Sequence, residues 1–168
     1  MIITAIDPGT RSAGIVTIEM NGSDIACLLN LPQKRGIDET EAEFIDRLCG
    51  QVNLQAGGRS DLIACEASHY RLNHKTHAAL AKVCGAVEQV ALRIGLPYVE
   101  VQPAEWKKAV TGSGNATYMA IRLCVRSILK DKLISWTTDH EFAAIGVAIA
   151  AGRARETKIK LSAAEKGG

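Results

Sequence analysis

The chain has 168 residues, 47% of them hydrophobic, and 20 Lys and Arg against 18 Asp and Glu leave a net charge of +2. That length builds one ordinary domain with a full core, without disulfides or a structural metal, and the composition excludes disorder. The net charge is too small to argue for nucleic-acid binding by itself, so any basic surface must come from local clustering.

Residues 2–6, 14–19 and 24–31 predict three strands, with Asn21-Gly22 as a hairpin signal between the second and third. Residues 38–54 predict a helix, because Thr40 and Glu43 have capping-box spacing and Phe44, Ile45, Leu48 and Val52 share a face. The apolar run 61–65 predicts a short strand ending at Glu66. A long helix follows over 74–94, with Ala78, Ala81, Val83, Ala86 and Val90 as packing positions, and Gly95-Leu96-Pro97 stops it. Residues 98–101 read as a strand, 103–109 as a helical turn carrying Trp106, and 111–115 as a Gly-containing loop. Residues 116–130 and 139–155 read as helices, the second capped by Thr137, Thr138 or Asp139, and from Glu156 the chain is expected to continue as a polar, loose tail. Strands first, then alternating strand and helix, predict an α/β domain over 1–155 with a mixed central sheet.

The five cysteines are far apart and show no metal-ligand spacing, which reads as reduced thiols. The N-terminus lacks a basic segment before Asp7, and the longest apolar run, 142–152, is too short to span a bilayer. The expectation is a cytoplasmic protein, associated with the nucleoid or, if phage-encoded, located in the host cytoplasm.

Asp7 ends an apolar strand and meets the turn Pro8-Gly9-Thr10-Arg11. Glu66 ends another. Each could simply cap or bond its own turn. If the two strands are neighbours, both carboxylates emerge at one sheet edge, where they repel unless a hard cation bridges them. The last helix opens Asp139-His140-Glu141 and is small-sided thereafter, at Ala143, Ala144, Gly146, Ala148, Ala150 and Ala151. Small residues let a helix lie close to a sheet and bring its first turn near Asp7.

These pieces resemble RuvC-type Holliday-junction resolvases, nucleases of the RNase H-like superfamily. The resemblance covers about residues 1–152. It rests on Asp7-Pro8-Gly9-Thr10 with Gly14, the strand ending at Glu66, Lys107 followed by Val110-Thr111-Gly112-Ser113-Gly114-Asn115-Ala116, and the Ala-rich last helix.

The resemblance implies an RNase H-like fold and metal-dependent symmetric cleavage of four-way DNA junctions by a homodimer; the long helix around Ala78 to Val90 is the candidate dimer contact. It implies four metal-binding positions, which fall on Asp7, Glu66, His140 and Ala143, holding two Mg²⁺ or Mn²⁺ ions, with His140 tilting the preference toward Mn²⁺. Lys107 would neutralise phosphate charge. His69, Tyr70, Arg71, Lys75, Lys107, Lys108, Ser113 and Tyr118 would contact DNA, Tyr118 standing where many relatives have a lysine.

Ala143 departs from the pattern, because alanine has no donor atom. It reads as an Asp-to-Ala change that inactivates the enzyme; otherwise Asp139 or Glu141 supplies the missing ligand from another register. Two other readings stay open: a ribosomal-RNA-maturation nuclease sharing the Asp-Pro-Gly-Thr start, and a module that binds branched DNA without cutting it.

Overall fold

The computed structural model describes residues 1–68, 74–130 and 138–166. Strands β1 (Ile2–Asp7), β2 (Ser12–Asn21), β3 (Asp24–Lys34), β4 (Leu62–Glu66) and β5 (Tyr98–Val101) form one sheet in the order β3-β2-β1-β4-β5. The first three are antiparallel, while β4 and β5 join in parallel, which gives the expected mixed sheet.

The strands alternate their side chains between two cores, as a pleat requires. Ile6, Ile15, Ile63 and Cys65 face α1 (Glu41–Ala56) and α2 (His74–Arg93). Ile3, Ala5, Val16, Ile18 and Ala64 face α3 (Pro103–Thr111), α4 (Tyr118–Ile128) and α5 (Asp139–Lys166). Helix α1 begins at the expected capping box, with Thr40 Oγ1 accepting from the Glu43 N–H and Glu43 accepting from the Thr40 N–H.

Three local expectations need correction. Asn21 pairs with Asp24, so the hairpin turn is Gly22-Ser23, one residue later than the Asn-Gly signal. On α2, Val83 and Val90 are buried as expected, but Ala78 and Ala81 are not part of the core; Cys84, Val87 and Ala91 complete the inner face. Alanine tolerates either side of a helix, so its spacing is a weak guide. Finally, α5 does not stop at Arg155 but continues to Lys166. Residues 156–166 contain no Gly or Pro and are mostly good helix formers, and Arg155 secures the start of the extension by donating to the Asp61 carbonyl at 2.9 Å.

The small side chains of α5 act as foreseen. Gly146 makes room for the buried Trp106 ring: a Cβ there would run into the ring, 3.0 Å from Cζ3 and closer still to Cε3. Gly146→Ala should therefore destabilise the fold by about 1–3 kcal/mol, the cost of overpacking a close-packed core. Thermal unfolding checks this, and an unchanged Tm would mean that α5 and α3 slide apart freely.

Candidate active site

The strand ends create the site. β1 and β4 run parallel and adjacent, with Ile6 opposite Cys65, so Asp7 and Glu66 leave the sheet side by side at its C-terminal edge. Asp7 is 8% exposed. Burial first, and then the negative charge of Asp7, push the Glu66 carboxyl up to about 9; Lys107 acts in the opposite direction. Two acids that cannot both ionise cheaply are arranged to receive a cation.

Helix α5 brings His140 to this pair because Gly14 lets the helix start touch β2. A Cβ on Gly14 would press on the His140 carbonyl and lie 2.8 Å from the Glu141 backbone nitrogen. His140 Nδ1 bonds Asp7 Oδ2 at 2.6 Å, and Nε2 bonds Ser12 Oγ at 2.7 Å. The Asp7 bond raises the imidazole pKa against the opposing effect of burial, favouring an imidazolium–carboxylate pair.

Lys107 and Tyr118 close the opposite side. The Lys107 ammonium lies 5.7 Å from the Trp106 ring centroid and 5.5 Å from that of Tyr118, both within cation–π range. Burial, and then the charges of Asp7, Glu66 and Asp139, raise the Tyr118 phenol to about 12, so it stays neutral at ordinary pH. Trp106 Nε1 is buried and lies toward Glu66, where it favours the carboxylate, although the geometry falls short of a full hydrogen bond.

Ala143 lies one turn after His140 and is fully buried. The two alternative acids are engaged elsewhere. Asp139 Oδ1 pairs with Arg122 Nη2 at 2.7 Å. Glu141 is fully buried; its Oε2 accepts from the Thr138 N–H at 2.7 Å, and its Oε1 accepts from the Asn30 amide.

Among the described residues, no group of three or more His, Cys, Asp and Glu is arranged to hold a metal ion. The two carboxylates, Asp7 and Glu66, are the oxygen donors that a hard cation takes. The donor set does not fit the second ion, since both His140 nitrogens are already bonded and Ala143 offers no donor.

Of the expected DNA contacts, Lys75, Lys108 and Ser113 lie at the surface and Tyr118 is 47% exposed, whereas His69, Tyr70 and Arg71 lie outside the described residues. Lys107 and Tyr118 meet at the site; Lys108 instead lines an apolar groove between β5, α3 and α5. The sequence does not show the bond from Ser12 to His140, nor that Arg122, one of the basic residues expected near the Gly loop, pairs with Asp139. Their partners are 128 and 17 residues away, and no local pattern marks them.

The raised Glu66 predicts a pH dependence. An unfolded Glu loses its proton near about 4.3, but the folded group keeps it to about 9. Between these values the native state binds more protons, so ion-free stability falls as pH rises. The Tm of chelated protein should drop from about pH 6 to about pH 8, and Glu66→Gln should flatten that drop. Equal pH slopes for both proteins would contradict the burial of an acid here.

The family model described as crossover junction endodeoxyribonuclease RuvC matches residues 3–151. The chain is 30% identical over 132 residues to the Aliarcobacter butzleri protein of that name, covering 79% of this chain and 86% of that protein. It is 30% identical over 169 residues to the one from Halorhodospira halophila, covering 98% and 96%. Thermus thermophilus RuvC in complex with a Holliday junction substrate superposes with a TM-score of 0.82 at 25% identity, covering 94% of this chain and 96% of that one. The fowlpox virus Holliday junction resolvase, with a TM-score of 0.55 at 10% identity over 94% of this chain and 99% of that one, shares the fold.

Proposed function

The chain belongs to the family of crossover junction endodeoxyribonuclease RuvC, and from that premise we propose that it resolves four-way DNA junctions by metal-dependent phosphodiester hydrolysis at a site lacking one acid. The observation that carries this reading is the pair Asp7 and Glu66 on adjacent parallel strand ends, flanked by Lys107. A family assignment over most of the chain also sets aside the ribosomal-RNA reading.

Asp7 and Glu66 would hold a divalent cation, Mg²⁺ or Mn²⁺, which when bound activates water and offsets charge on the leaving oxygen. Lys107 supplies a fixed positive charge beside the carboxylates for the phosphate at the transition state. His140, braced by Asp7 and Ser12, holds the first turn of α5 against the site. The neutral Tyr118 hydroxyl can donate a hydrogen bond where a lysine would bring charge.

A four-way junction has approximate twofold symmetry and needs two cuts, so a symmetric dimer with two sites suits it. The outer face of α2, with Ala78 and Ala81 outside the core and Leu92 at 63% exposure, is the proposed contact. Among the described residues no helix is long and apolar enough to cross a membrane; a DNA substrate suits a cytoplasmic protein.

The test is cleavage of a synthetic four-way junction, each strand labelled in turn, with Mn²⁺ or Mg²⁺. Slow paired nicks at symmetric positions, abolished by chelator, are expected. Tight, junction-selective binding with no nicking in either metal would instead favour the non-cleaving module, which Ala143 supports.

A further inference from the structure

We propose that Arg11, Lys34 and Arg35 form a second phosphate grip, which holds the DNA strand on the side of the carboxylates opposite Lys107; the inference rests on the junction-cleaving reading above. These residues, with Gly36 and Ile37, line a cleft of about 360 Å³.

The β-ladder fixes its position. Ser12, the residue that bonds His140, pairs across β2 and β3 with Lys34, and the Arg35 N–H donates to the Arg11 carbonyl at 2.9 Å. The cleft therefore opens on the sheet edge that carries Asp7 and Glu66. Neighbouring strands lie about 4.8 Å apart, so β3 stands about 10 Å from β1. Each nucleotide rises about 3.4 Å along the duplex axis, but the backbone winds as it rises and neighbouring phosphates of one strand lie roughly twice that far apart, so that span is about one to two nucleotides from a phosphate held at Asp7. Lys107 follows β5 on the other flank, so a strand crossing the site meets cations on both sides.

The cations are available. Arg11 and Lys34 are exposed and make no side-chain ion pair among the described residues. The acid best placed to neutralise them, Glu39, is taken by Arg47 at 2.8 Å and by the Gly36 N–H at 2.8 Å. The Arg47 hydrogen bonds, and then the Gly36 N–H, bring Glu39 down to about 2. Arg35 Nε donates to the Glu39 carbonyl at 2.7 Å, which steers the guanidinium without cancelling its charge. Asp38 is exposed in the same loop and offsets part of the excess. Isolated basic clusters are commonly just a solvated face. This one is held in register with the catalytic edge by the Ser12–Lys34 pair and by the Arg35–Arg11 backbone bond just beyond it, and clustered positive charge favours a polyanion.

The experiment measures binding of the full chain to a labelled four-way junction over a salt series, for the parent and for Arg11→Gln/Lys34→Gln. Neutral methylphosphonate linkages are then placed about one to two nucleotides to either side of the cut site. The double variant should show a log affinity against log salt slope shallower by about two, near one for each phosphate no longer neutralised. Methylphosphonates on one side of the cut should weaken the parent several-fold and leave the double variant unaffected. An unchanged salt slope, or equal methylphosphonate losses in both proteins, overturns the grip. A parent that binds junction no better than linear duplex overturns the junction reading itself, so the two failures are distinct.

Discussion

Ala143→Asp is expected to raise divalent-ion-dependent nicking of a four-way junction by on the order of 10² or more, by analogy with restoring a lost transition-state donor. Position 143 lies one turn beyond His140, on the helix face that meets Asp7. It is fully buried, so the new carboxylate cannot escape to solvent. Two consequences follow from that burial. Without an ion, a third acid beside Asp7 and Glu66 adds like-charge repulsion, and the variant should melt below the parent. With Mg²⁺ or Mn²⁺ the three carboxylates can share the cation, and the variant should gain more Tm on ion addition than the parent does. Cleavage no faster than the parent's, together with an equal ion-induced Tm gain, would show that residue 143 does not face the ion. If Asp139→Asn then abolished the parent's nicking, the ligand would be Asp139, and its pairing with Arg122 would have to break on ion binding.

The site is partly legible in the sequence because an acid that ends an apolar run is a local signal. Asp7 and Glu66 could each be read from five or six residues of context, and adjacency of β1 and β4 then brought them together. The rest depends on contacts that no short window contains. Ser12 is an ordinary turn residue until α5 arrives and places His140 against it. The charges of Arg11 and Lys34 become a cleft only because β2 and β3 register them on the catalytic edge. Boundaries failed where side chains are ambivalent: the alanines of α2 suit either face, and residues 156–166 are polar enough to read as tail yet sound helix formers. The family resemblance supplied positions 140 and 143, which composition and periodicity would have left as cap and core.

Asp7→Asn should remove cleavage almost entirely, by at least on the order of 10², while leaving junction affinity within a few-fold of the parent. Phosphate contacts from basic side chains supply most of that affinity. The loss should exceed that of Glu66→Gln, because Asp7 holds two relationships at once. It is the charge that faces Glu66, and it is the acceptor that holds His140 at 2.6 Å. Asparagine keeps the shape of the side chain, and its amide can still meet the imidazole, but it gives up the anionic oxygen needed by a hard cation. Ser12→Ala, which frees His140 only from the other side, should cost less, about 10- to 100-fold, as for residues that orient a metal site from behind. The measurement is best made on the Ala143→Asp background, where nicking is fast enough for a large loss to be resolved, with junction affinity followed in parallel. An Asp7→Asn protein that nicks at an unchanged rate would reduce Asp7 to a turn residue that orients His140. One that loses junction binding as well would mean the carboxylate sustains the fold of the β1–β2 turn, which a matching fall in Tm would confirm.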